Sequence, residues 1–364
     1  MYQEELRAIK RAGLYRSREL YSDELIDLGS NDYLGFAEDE QIFKSAYDRT
    51  KRYKTHSPKA SQLVNGYHPV HKEFEDYLIK INRFESCLVV GSGFLANLSL
   101  IEALPRRGDL LILDSEYHAS GILASKLLKC EVKFFSHNDA NNLREILKSS
   151  SFKRAIVAVE GVYSMGGDLL NREIFDVVDE FNAILIVDEA HSSGVVGDNF
   201  LGVFEKFGIT LKENYIKMGT LGKAFGSYGA YILASKQIVE FLQNRAKAII
   251  YATAPSIFDI ALAHEAMIKL NKDIELFRQK RDESLKIVEN IFGVSLKSLL
   301  LKIEIGDSKR VIDIKQKLLK KGIFVGAIRP PTVNRAILRV SIRLGVESSV
   351  MEYALKEIRG LVSS

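Results

Sequence analysis

From about residue 86 to 234 the chain alternates short apolar, β-branched runs with longer stretches compatible with helix; the runs fall at 87–91, 110–113, 131–135, 155–159, 183–187, 215–218 and 228–233. Segments such as AIVAV and AILIV are apolar at every position, not at alternate ones. A strand buried on both faces has that pattern, because neither side of its sheet meets water. The rhythm therefore predicts βαβ units around a mostly parallel sheet, with ligands bound beyond the carboxyl ends of its strands. Past residue 268 the pattern changes to a charged helix, a strand (LLLKIEI), a Lys-rich helix over 311–321, the strands IFVGAI and AILRVSI, and a terminal helix. The expected organisation is an N-terminal arm (1–38), a large domain (39–268) and a small C-terminal α+β domain (269–364), with one helix shared across the boundary.

Composition removes several alternatives. With 364 residues, 46% hydrophobic and 27% charged, and 6 prolines, the chain has the profile of a folded globular protein of about two domains. Its 51 basic and 47 acidic residues give a net charge of +4 and are interleaved, so the basic footprint of a nucleic-acid partner is missing. Cys87 and Cys130 cannot build a disulfide framework, and no C-x-x-C occurs, which fits a reducing cytoplasm. The start, MYQEELRAIK, is acidic where a signal peptide is basic, and no apolar run approaches membrane-spanning length. No metal site is expected.

Four segments could carry chemistry. Gly91-Ser92-Gly93-Phe94-Leu95-Ala96 follows an apolar strand and opens a helix expected over 97–104, so free backbone N–H groups and the positive helix end suit a phosphate. The same string matches a dinucleotide fingerprint, with Asp114 about 20 residues on as the ribose acid, and it also reads as a plain tight turn. In Val187-Asp188-Glu189-Ala190-His191, Asp188 ends the most apolar run; it either caps the next turn or serves as a fixed anion that keeps a heterocycle protonated. The DEAH string is no ATPase signature, since the P-loop pattern is absent. Gly219–Ser227 places Lys223 in a Gly-rich loop after a sheet strand; it reads either as a solvated surface charge or as a desolvated amine able to form a Schiff base. Arg329 and Arg339, with the turn in Ser30-Asn31-Asp32-Tyr33-Leu34-Gly35, supply forks and an amide for a carboxylate.

Together these segments resemble the α-oxoamine synthases, pyridoxal-phosphate enzymes of the aspartate-aminotransferase fold (fold type I). The resemblance covers SNDYLG, NGYHPVHKEFE, GSGFLAN, DSEYHAS, VEGVYSMGGD, VDEAHSSGVVG, GTLGKAFGSYG, IYATA, RPPTV and LRV, in that order. It implies that Lys223 carries pyridoxal 5'-phosphate as a Schiff base, that Asp188 partners the pyridine nitrogen, that His118 stacks on the ring and that His191 meets its phenolic oxygen. It places Gly93, Phe94 and Thr220 on the phosphate, Thr253 on the phosphate of a neighbouring subunit, and Glu160 and Ser164 beside the ring. Asn31 and Arg339 would bind the amino-acid carboxylate and Arg16 the acyl carboxylate. Two segments depart from the family pattern: HSPKASQ stands where a Gly-rich stretch is usual, and IYATA continues Pro255-Ser256 without a double proline. Within the family, AIRPPTV points to the member that condenses L-alanine with a pimeloyl thioester of coenzyme A or acyl carrier protein in biotin biosynthesis, working as a homodimer. A ligase joining glycine to acetyl-CoA is the alternative, and an NAD-linked dehydrogenase a remoter one.

Overall fold

The computed structural model describes residues 1–363. Its strands are β1 (Ile26–Leu28), β2 (Ser86–Val90), β3 (Leu110–Asp114), β4 (Glu131–Phe135), β5 (Ala155–Glu160) and β6 (Ile184–Asp188), then β7 (Tyr215–Thr220), β8 (Ala230–Ala234), β9 (Leu300–Gly306), β10 (Ile323–Ile328) and β11 (Ala336–Ser341). The larger sheet has the order β2-β8-β7-β6-β5-β3-β4 and the smaller one β1-β10-β11-β9. In the larger sheet only β8 runs against its neighbours, β2 and β7; the remaining pairs are parallel. All seven apolar runs expected between 86 and 234 overlap these strands.

The uninterrupted apolar runs have a direct packing cause. Successive residues of one strand enter different cores: Leu110, Ile112 and Val157 join one cluster, while Leu111, Leu113, Ile156 and Ala158 join the other, on the opposite face. Two hydrophobic layers sandwich the sheet, so its loops at the carboxyl edge are left to carry polar chemistry.

Three features differ from the sequence expectation. Ile26–Leu28 is a strand, parallel to β10, although three residues are too few for a periodicity to show. The helix after the Gly-rich turn starts at Gly93, not residue 97, because the Ser92 side chain accepts the Leu95 N–H and caps it. The expected shared helix is two helices, Ile257–Lys272 and Ile274–Phe292, divided at Asp273, whose φ of −103° and ψ of 25° leave the helical range. Among the described residues no helix is long and apolar enough to cross a membrane, and no cluster of potential metal ligands occurs.

Candidate active site

Parallel register sets Glu160, the last residue of β5, beside Asp188, the last of β6. Two carboxylates thus share the carboxyl edge of the sheet, both buried. Asp188 accepts a hydrogen bond from Asn97 Nδ2 at 2.8 Å and from the Ala190 N–H at 2.9 Å. It therefore caps the turn, and its carboxylate is held in a fixed orientation at the sheet edge. Asn97 is fixed in turn by the Tyr117 hydroxyl, which donates to its Oδ1 at 2.6 Å. The neighbouring Glu189 is wholly buried and structural, its carboxylate taken by the Val203 N–H and the Ser192 hydroxyl.

Glu160 Oε2 accepts the Ser164 N–H at 3.0 Å, but Oε1 is buried without a hydrogen-bond partner. Burial first, and the adjacent Asp188 second, push its pKa well above the ordinary carboxylate range. A buried oxygen without a partner is costly, so this edge is built to receive another group.

The loop after β7 brings Lys223 to the same place. Its Nζ donates to His191 Nε2 at 2.7 Å, and burial lowers its pKa to about 8, against the opposing pull of Asp188 and Glu160. His191 is buried and its pKa lies well below the usual value, so the ring is neutral. With Nε2 accepting from the lysine, Nδ1–H donates to the Tyr33 hydroxyl at 2.7 Å. Arg339 Nη2 reaches the same hydroxyl at 3.3 Å, and its Nε donates to the Ser164 carbonyl at 2.7 Å. The result is one chain of contacts, Lys223–His191–Tyr33–Arg339, that joins the two sheets.

His118 caps the helix Ala119–Ser125, its Nδ1 held by the Ser120 hydroxyl at 2.7 Å; the residue keeps access to solvent, and partial burial and then Lys223 lower its pKa, against Asp188. Gly93 and Phe94 open the helix Gly93–Ala103, and their N–H groups precede the first one capped by Ser92. A Cβ on Gly93 would meet the Thr220 side chain at 3.7 Å, so the hydroxyl of that residue sits against the helix start. Asn31 Oδ1 lies 3.4 Å from the Tyr33 hydroxyl.

Two expected site residues lie apart from this cluster within the single chain. Thr253 is exposed, in a segment whose next residue, Ala254, donates its N–H to the Ala60 carbonyl at 3.0 Å. Arg16 is exposed and touches only Thr332 Oγ1, at 3.5 Å. The dinucleotide reading fails on Asp114, which is completely buried and engaged by the Tyr163 hydroxyl, His137 and the N–H groups of Glu116 and Asn138. Asp114 is therefore not available to a ribose.

Sequence reasoning passed over Asn97, Tyr117 and Tyr33 as functional groups. Asn97 had a signal, an amide inside the apolar helix GFLANLSLIEA. Tyr33 stood in the quoted SNDYLG string, yet its contact with His191 spans 158 residues and no local pattern reports it.

These elements define a class. The chain belongs to the aminotransferase class I and II family, whose model matches residues 23–358. Among its relatives, the 8-amino-7-oxononanoate synthase of Helicobacter pylori strain J99 is 42% identical over 349 residues, which cover 94% of this chain and 93% of the relative. The 8-amino-7-oxononanoate synthase of Geotalea daltonii is 34% identical over 351 residues, covering 91% and 89%. Among solved structures, the 8-amino-7-oxononanoate synthase of Francisella tularensis superposes with a TM-score of 0.77 at 27% identity over 94% of this chain and 99% of its own. A serine palmitoyltransferase of Sphingomonas wittichii, at 24% identity and 98% and 95% coverage, shares the fold with a TM-score of 0.87.

Proposed function

We propose that this chain catalyses the 8-amino-7-oxononanoate synthase reaction of biotin biosynthesis: pyridoxal-phosphate-dependent condensation of L-alanine with a pimeloyl thioester, releasing CO2 and free thiol. The observation that carries this reading is the position of Lys223, an amine of lowered basicity at the edge that also holds Asp188 and the unpartnered Glu160 oxygen. The donor set fits pyridoxal phosphate. A helix start with uncommitted N–H groups suits its phosphate, an oriented carboxylate its ring nitrogen, and a nucleophilic amine its aldehyde. When bound, the cofactor supplies that aldehyde and an electron-withdrawing ring.

The roles of the protein groups follow from their environments. Asp188, held by Asn97 and the Ala190 N–H, presents a fixed negative charge. Gly93, Phe94 and Thr220 would hold the phosphate, and His118 would pack on the ring and keep water away. The Glu160–Ser164 turn would lie beside the ring. Lys223 would hold the cofactor through its amine and, when that amine is free, would take the proton from the α-carbon of L-alanine, because an amine with a pKa near 8 is partly neutral at working pH. His191 would face the cofactor's phenolic oxygen from its Nε2 side, with Nδ1 held at the Tyr33 hydroxyl. Arg339 and Asn31 bind the carboxylate of alanine, and Arg16 meets the far carboxylate of the acyl chain.

The working unit in this reading is a cytoplasmic homodimer in which Thr253 reaches the partner's phosphate site; coenzyme A or an acyl carrier protein delivers the acyl group. The test is an assay of the reconstituted protein with paired substrates. L-alanine with a pimeloyl thioester should give 8-amino-7-oxononanoate. Turnover only with glycine and acetyl-CoA would assign the chain to the alternative ligase reaction.

A further inference from the structure

Outside the Lys223 cluster, a histidine joins two carboxylates. His137, in the turn after β4, stands with Nδ1 3.0 Å from Asp114 Oδ1 and Nε2 2.9 Å from Asp168 Oδ2. Carboxylate oxygens accept and do not donate, so the ring serves both only as the doubly protonated imidazolium. Burial opposes that charge, but the two carboxylates override it and push the pKa up to about 10. Among the described residues His137 is the only cation in ion-pair contact with either carboxylate.

Asp168 lies on the hairpin that carries Ser164. There the Tyr163 N–H donates to the Asp168 carbonyl at 3.0 Å, and the Leu170 N–H donates to the Gly161 carbonyl at 3.0 Å. Gly166 and Gly167 form the tip, Gly167 with a φ of 74°, so no side chain stiffens the backbone at that point. Ser164 commits its N–H to Glu160 and its carbonyl to Nε of Arg339. The placement of the hairpin therefore sets the direction of the Arg339 fork. Further ties come from the Tyr163 hydroxyl to Asp114 at 2.7 Å, the Asn138 amide to the Leu169 carbonyl at 2.8 Å and the Ser298 hydroxyl to the Gly167 carbonyl at 2.6 Å. None of these supplies positive charge. Without the imidazolium, Asp114 and Asp168 would repel across the gap the ring now spans.

We propose that His137 is a positioning residue for the amino-acid substrate: bridging Asp114 and Asp168, it holds the 161–170 hairpin so that Arg339 faces the substrate carboxylate. This inference rests on the reaction assigned above, and it acts through Ser164 and Arg339, not through the cofactor.

The test compares L-alanine with ethylamine, the same amine without the carboxylate, on the reconstituted holoenzyme, with binding read from the change in cofactor absorbance. In His137→Gln the Kd for L-alanine should rise by roughly 3- to 10-fold, while the Kd values for ethylamine and for pyridoxal phosphate change by less than about 2-fold. A merely structural loss would weaken all three. An unchanged Kd for L-alanine, or an equal loss for ethylamine, would overturn the proposal. If His137→Gln does not fold, Asp168→Ala decides by the same criteria, since it cuts the bridge at its more exposed end and leaves the pair of Asp114 and His137 in place. A wild type with no response to L-alanine would overturn the reaction itself and this inference with it, a result distinct from an unchanged variant.

Discussion

The amine of Lys223 and Nε2 of His191 stand 2.7 Å apart, and the other nitrogen of that ring is 2.7 Å from the Tyr33 hydroxyl. The lysine is thus positioned by a neutral imidazole whose far side is tied to the SNDYLG turn. Because burial keeps His191 neutral, it accepts from the amine without competing for its charge.

The lowered basicity of Lys223 gives a signed pH prediction. Trapping of pyridoxal phosphate by borohydride should increase through about pH 8, well below the pH of about 10.4 at which an ordinary lysine titrates. Asp188 raises this pKa, so Asp188→Asn should move the midpoint to lower pH, not higher. A pH series of labelling on the two proteins measures both effects.

Asn97 orients Asp188, and its loss leaves one carboxylate oxygen free to turn. Hydrogen bonds to charged groups contribute about 1.5–3 kcal/mol, so Asn97→Ala should weaken pyridoxal-phosphate affinity by roughly 10-fold or more. Tyr117→Phe, one step removed, should lose less. Equilibrium cofactor titrations followed by absorbance distinguish the two.

Arg343 anchors the same turn from the smaller sheet's side. Its Nη2 meets Asp32 Oδ2 at 2.6 Å, and its Nη1 meets Asp27 Oδ2 at 3.2 Å. Asp32 is buried, and burial already raises its pKa against the opposing pull of Arg343. Arg343→Met should destabilise the fold by about 3–5 kcal/mol, because it strands that carboxylate. Chemical denaturation of the variant and of Arg343→Met with Asp32→Asn should show the second change recovering part of the loss.

Glu75 links the HPVHKEFE helix to β2, accepting the Val89 N–H at 2.9 Å and the Tyr67 hydroxyl at 2.5 Å. Burial raises its pKa from 4.5 to about 7. The folded state therefore holds a proton that the unfolded chain has released, so this group's contribution is full below pH 4.5 and is lost as pH rises to about 7. Glu75→Gln should remove that decline, on the order of 3 kcal/mol, from the pH dependence of unfolding. An unchanged slope would mean that Glu75 titrates normally.

Much of the fold was legible because doubly buried strands must be apolar along their length, and β3, β5 and β6 are, up to the acidic residue that ends each. Lys223 and Asp188 were legible for a related reason: a charged residue at the end of such a run, or inside a Gly-rich loop, has few structural explanations. Contacts between distant segments were not legible. The Asn97–Asp188 bond spans 91 residues and Arg343–Asp32 spans 311, and each side chain is ordinary in its own local sequence. The break at Asp273 escaped notice because both helices continue the same charged pattern. The exposed Thr253 and Arg16 owe their assigned roles to the family resemblance, and neither touches the Lys223 cluster within one chain.

Which amine reacts with the cofactor decides the role of Lys223. Borohydride reduction of the protein reconstituted with pyridoxal phosphate, followed by peptide mapping, should place the label on Lys223 and abolish it in Lys223→Ala. Label on another lysine, or none on a folded protein saturated with the cofactor, would contradict the assignment.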